Sequence, residues 1–104
     1  MRSIIAVLLI GILLGAAPDK HDFFQQLAQA AAQLTKQQVT YDPSYYNIAY
    51  PNGDVPANKG VCADVVIRAY RKLGIDLQQR VHEDMLQNFQ AYPQKWGLRQ
   101  TDKN

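Results

Sequence analysis

The 104-residue sequence has one cysteine, two histidines and no run of like charge, and each scarcity closes off a class of protein. A single cysteine cannot staple its own chain with a disulfide. One cysteine and two histidines give little basis for a metal centre. His82-Glu83 is followed by no second histidine at the spacing a zinc-binding helix needs, so no metal or other cofactor is expected. Eleven Lys and Arg against nine Asp and Glu leave a formal charge of +2 with the signs interleaved, which argues against nucleic acid as a partner. The apolar run from Ile4 to Leu14 is too short for a stable membrane span.

That run has another use. Arg2 precedes it and the small residues Gly15-Ala16-Ala17 follow it, the layout of a cleaved signal peptide over residues 1–17. The expectation is a periplasmic or secreted protein whose mature part, residues 18–104, is one domain at most. That length is near the lower limit for a self-sufficient core.

The mature part reads as mainly α, three helices plus a Tyr-rich loop. Asp19 or Asp22 can cap a first helix reaching about Lys36, with Phe23, Leu27, Ala30, Ala31 and Leu34 on one face. Residues 39–59 change character, with Tyr41, Tyr45, Tyr46 and Tyr50 among three prolines and the turn signal Asn52-Gly53-Asp54. One short strand is expected there, around Ile48 to Tyr50. Asn58 can cap a second helix from about Lys59 to Leu73, stopped by Gly74, with Val61, Val65, Ala69 and Leu73 on its apolar face. Asp64 and Arg68 are spaced to pair on its polar side. The third helix is expected over Leu77 to Ala91, burying Leu77, Val81, Met85 and Phe89. Pro93 stops it, and Tyr92, Trp96 and Leu98 can fold back onto it.

Cys62 is the leading chemical candidate. In the first turn of a helix, free backbone N–H groups and the helix dipole favour a thiolate, as a cysteine nucleophile requires. An unpaired thiol in an exported protein also calls for a reason. The competing reading is a small, buried, inert side chain. A hydrolase needs a base beside the thiol, and His82 is the better placed of the two histidines, although a plain helix-surface role fits it too. Asp64 can orient a base or serve only its own helix. Tyr46, Asp54 and Trp96 are candidate substrate-binding residues, the aromatic rings suiting a peptide or glycan as well as a core.

Five segments, taken in order, resemble one known family. They are Gly53-Asp54-Val55-Pro56, the stretch from Gly60-Val61-Cys62-Ala63-Asp64 to Arg71, Gly74-Ile75-Asp76-Leu77-Gln78, Val81-His82-Glu83-Asp84-Met85, and Tyr92-Pro93-Gln94-Lys95-Trp96-Gly97-Leu98. The chain resembles the bacterial exported family designated domain of unknown function 1287, itself similar to papain-like cysteine hydrolases of the NlpC type. The resemblance implies an α+β fold in which a helix opened by the nucleophile packs on a sheet. It maps the nucleophile onto Cys62, the Asp two residues onward onto Asp64, and an acidic helix motif onto His82, Glu83 and Asp84. It also implies a longer protein, because family members continue past Asn104 into a sheet-bearing part with the base histidine. Residues 18–104 would then be the N-terminal helical half of a papain-like domain, inactive without the missing C-terminal half. On this reading the protein is an exported cysteine amidase or peptidase of peptidoglycan peptides. The alternatives are a small secreted binding module without chemistry, which predicts a buried Cys62 and an aromatic groove, or a pseudoenzyme remnant with an uncovered apolar face on the second helix. Disulfide-linked pairing through Cys62 is a further option.

Overall fold

The first helix follows directly from its cap. In the computed structural model, which describes Gly15 and residues 19–104, α1 runs Lys20–Leu34 with Asp19 as N-cap, its carboxylate accepting the His21 N–H at 3.4 Å. It ends at Thr35, whose N–H and hydroxyl both turn back to the Ala32 carbonyl. Phe23 docks the helix on the chain's centre, its ring 6.1 Å from that of Tyr70. The expected signal segment, residues 1–17, lies outside the described residues apart from Gly15. Among the described residues no helix is long and apolar enough to cross a membrane.

The sheet differs from expectation. Its two strands are β1, Thr40–Tyr41, and β2, Lys59–Gly60, paired in parallel with Thr40 opposite Lys59. Ile48 to Tyr50 forms no strand. The polar groups of that stretch go to side chains instead: the Ile48 N–H meets Asn104 Oδ1 at 3.4 Å and the Ala49 carbonyl accepts from Gln78 at 2.9 Å.

Because β2 takes up Lys59 and Gly60, the second helix starts later than the sequence suggests. α2 is Cys62–Lys72, with Val61 as N-cap rather than Asn58. Valine has no side-chain acceptor, and closure comes from within, Asp64 Oδ2 accepting the Val61 N–H at 2.7 Å. The C-terminal end is as expected. Gly74 adopts φ 79°, and the N–H groups of Gly74 and Ile75 return to the carbonyls of Arg71 and Tyr70, a Schellman closure. α3, Leu77–Asn88, is capped by Asp76 and runs into a 3-10 turn, Phe89–Ala91. Tyr92 folds back, its hydroxyl on the Asp84 carboxylate, whereas Trp96 remains 79 % exposed.

The three helices and small parallel sheet enclose little. Among the described residues the buried hydrophobic side chains are Ala30 and Ala69, and no large side chain is fully buried. On α2, Val65 and Val66 stay 46 % and 51 % exposed, and on α3 Val81 is exposed as well, so the apolar faces read from the sequence are only partly covered.

Candidate functional site

The site is organised by the loop that leads into α2. Arg68, one turn after Asp64, does not pair with it. Its Nε lies 3.2 and 3.0 Å from the two carboxylate oxygens of Asp54, and its Nη2 donates to the carbonyls of Val55, Pro56 and Lys59 at 3.4, 3.2 and 2.9 Å. Arg71, three residues on, donates to Asp54 Oδ2, Asn52 Oδ1 and the Gly53 carbonyl. The Arg68 side chain is only 12 % exposed, so these are well-shielded, charge-assisted bonds. Two guanidinium groups thus pin residues 52–60 to one face of α2 and fix where Cys62 stands.

Gly60 is required by this arrangement. A Cβ on it would lie 3.2 Å from Asp64 Cβ and Oδ2 and 3.3 Å from Arg68 Nη1. The missing side chain lets the carboxylate that closes the helix start and the guanidinium that holds the loop both rest over the backbone.

Cys62 is exposed, as the first residue of α2. It opens on a hollow of about 370 Å³ walled by Leu34, Val39, Tyr41, Val65 and Arg68. His82 and Asp64 line a different hollow on the other side of α2, of about 220 Å³, together with Asp54, Gln78, Asp102 and Asn104. The His82 ring is held there by its Nδ1, 3.1 Å from the Asp102 carbonyl, and by an edge-to-face contact with Tyr50 at 4.9 Å. No hydrogen bond joins Cys62 and His82 among the described residues, and the helix stands between their hollows. Asp64 is engaged by the Val61 N–H, and Asp54 by the two arginines.

The candidate binding residues do not converge on Cys62 either. The Tyr46 hydroxyl donates to Asp42 at 2.6 Å and accepts from Lys59 Nζ at 3.2 Å, closing a knot with the Lys59–Asp42 ion pair at 3.3 Å. The Ser44 and Tyr46 hydroxyls hold the Asp42 carboxyl well below the usual carboxylate range, and the bonds to Tyr46 and Asp42 raise Lys59. Trp96 lines neither hollow. Among the described residues there is no cluster of three or more His, Cys, Asp and Glu placed to hold a metal.

Three residues that matter here escaped the sequence reading. Arg68 was read only as the Asp64 partner, although its spacing from Arg71 gives both cations one helix face towards an acidic turn. Gln78 is buried, its carboxamide accepting the Gly53 N–H at 2.8 Å and donating to the Ala49 and Lys103 carbonyls. Nothing local distinguishes it from its neighbour Gln79. Gly60 carried a signal that was available, a glycine directly before a helix start.

Comparison with known proteins places the chain in a family. The chain is 53 % identical over 78 residues to the protein named Uncharacterized protein YijF of Escherichia coli strain K12. The match covers 75 % of this chain and 38 % of that protein, so the chain spans well under half the length of that relative. No solved structure matches. Residues 28–104, nearly three quarters of the sequence and all of the site just described, match the family described as domain of unknown function DUF1287, and the chain belongs to that family.

Proposed function

We propose that this chain is the nucleophile-bearing part of an exported, papain-like cysteine hydrolase that cuts amide bonds in peptidoglycan peptides. The observation that carries this reading is the position of Cys62, exposed at the first position of α2 and opening on a hollow wide enough for a peptide segment. The N–H groups of Cys62 and Ala63 make no hydrogen bond within the described chain, so the helix start has donors to offer a carbonyl oxygen as it becomes an oxyanion. In the proposed reaction the Cys62 thiolate adds to the amide carbonyl. The amine leaves with a proton, and water then cleaves the thioester.

The proton needs a carrier. His82 is on the far side of α2 with its Nδ1 at the Asp102 carbonyl. We assign the base to the length of the family's longer members that this chain does not span. On that assignment residues 18–104 alone have a reactive thiol and no turnover, since positioned acid–base catalysis is worth about 10²–10⁴-fold. The partly exposed Val66 fits a helix made to receive more structure and fits the pseudoenzyme remnant equally, so the choice rests on Cys62. The exposure of Cys62 also weighs against the non-catalytic binding module, which needs that side chain buried.

The test is the rate at which Cys62 is alkylated by iodoacetamide at neutral pH, in the folded chain and in the same chain unfolded in urea. A folded-state rate about tenfold or more above the unfolded one is expected for a thiol activated by a helix start. A folded rate equal to or below the unfolded one would sink the nucleophile reading.

A further inference from the structure

The Cys62 hollow is apolar on its walls, where Leu34, Val39 and Val65 stand, yet it carries one charge. Of the residues lining it, Arg68 is the single Lys, Arg, His, Asp or Glu. Arg68 spends two of its three nitrogens on the chain, Nε on Asp54 and Nη2 on three carbonyls, while Nη1 has no acceptor among the described residues. Nη1 is not sealed from solvent either, since no buried side-chain nitrogen or oxygen lacks a partner. Arg68 and Arg71 share the single Asp54 carboxylate, which leaves that triad with a net positive charge. The Asp64 carboxylate lies over the same Gly60 backbone as Nη1 and accepts the Val61 N–H, with no hydrogen bond to Nη1.

A strand edge borders the same hollow. The N–H groups of Thr40 and Asp42 both point to β2, onto the carbonyls of Asn58 and Gly60. Alternation along a strand therefore turns the N–H and carbonyl of Tyr41 away from β2, and Tyr41 lines the hollow. An apolar wall, a free strand edge and one unsatisfied guanidinium N–H together describe a particular ligand.

We propose that the Cys62 hollow recognises an extended peptide bearing a carboxylate, with the carboxylate on Arg68 Nη1, an apolar side chain against Leu34, Val39 and Val65, and the backbone along the outer edge of β1. This deepens the hydrolase reading, on which it rests for the identity of the attacked bond, and specifies the substrate as an acidic or chain-terminal peptide segment. Guanidinium is the side chain best suited to hold a carboxylate, and the apolar surroundings strengthen the contact.

Cys62 is the chain's single cysteine, so alkylation reports on this hollow alone. Iodoacetate and iodoacetamide differ in a carboxylate, and the ratio of their rates at one pH and one ionic strength cancels the fraction of thiolate. The expected ratio of iodoacetate to iodoacetamide is about fivefold higher in the folded chain than in the urea-unfolded chain, the size of one partly solvated charge contact. Arg68→Gln should bring the ratio down to the unfolded value, while Lys95→Gln, which removes a cation lining neither hollow, should preserve it. As a check that needs no variant, N-acetyl-alanyl-alanine should slow iodoacetamide labelling of the unaltered chain more than its C-terminal amide does. Folded and unfolded ratios that agree, or equal protection by the acid and the amide, would overturn the proposal. A raised ratio with a slow absolute iodoacetamide rate would keep the carboxylate site and count against Cys62 as the nucleophile, so the two readings fail separately.

Discussion

The two sides of α2 are built in opposite ways. On the His82 side the chain closes on itself, and Gln78, Asp102, Asn104 and the Asp54 carboxylate meet around a small hollow with three acidic groups on its walls. On the Cys62 side the walls mix Leu34, Val39 and Val65 with Thr35, Gln37 and Tyr41, the single charged residue is Arg68 instead of acids, and Val65 stays 46 % exposed. One side of the helix sets three carboxylates, two of them held by the arginines and the Val61 N–H, among aliphatic side chains, and the other presents a thiol and a cation. Stability in this protein therefore resides on the His82 side, and the proposed chemistry belongs to the Cys62 side.

Substitutions can break that division or sharpen it. The largest effect should come from Gly53→Ala, whose Cβ would sit 1.9 Å from the Ala49 carbonyl oxygen in the turn above the His82 hollow. Backbone would have to move, and a loss of about 3 kcal/mol or more is expected in urea unfolding. Gln78→Ala leaves the Gly53 N–H and the Ala49 and Lys103 carbonyls without partners, and should cost about 2–3 kcal/mol in the same measurement. Gly60→Ala acts at the entrance to the other side, where a methyl would press on Asp64 and Arg68. A loss of about 1–2 kcal/mol is expected, with a changed Cys62 alkylation rate that Gln78→Ala should not produce.

Two smaller effects complete the series. Val65→Thr, in the open wall, should shift stability by less than about 0.5 kcal/mol, and a loss near that of a core position would show the wall to be covered after all. The Asp42–Tyr46–Lys59 knot predicts a pH signature. The folded Asp42 carboxyl lies below its ordinary range, so its stabilising contribution is present above the unfolded value and is lost as pH falls through the folded one. Thermal melts should therefore show an acid-side decline that Asp42→Asn reduces, with the variant the less stable of the two at neutral pH and the two proteins converging as pH falls.

How much of this could be read from the sequence follows from the range of each interaction. The three helices, the Asp19 cap, the Gly74 closure and the stop near Pro93 rest on neighbours within a turn or two, and they were legible. The parallel pairing of Thr40 with Lys59 was not, because strands of two residues carry no alternation, and their pairing also moved the helix start from Lys59 to Cys62. Local spacing likewise favoured an Asp64–Arg68 pair. The pinned loop overrides it by offering Arg68 a carboxylate and three carbonyls, and leaves Asp64 to close its own helix. The place of Cys62 in the first turn of α2 was legible because a helix N-terminus is a local feature. The separation of His82 from it was hidden, since two residues on different helices share a site only through tertiary packing.

Gln78 has one more consequence. A single carboxamide ties together the turn at Ala49 and Gly53, the first turn of α3 and the backbone at Lys103. The Gly53 amide belongs to neither helix nor strand, yet its acceptor is a buried side chain. In deuterium it should exchange as slowly as the helix interior, released only when the whole assembly opens, so that a loop proton becomes the reporter of global unfolding.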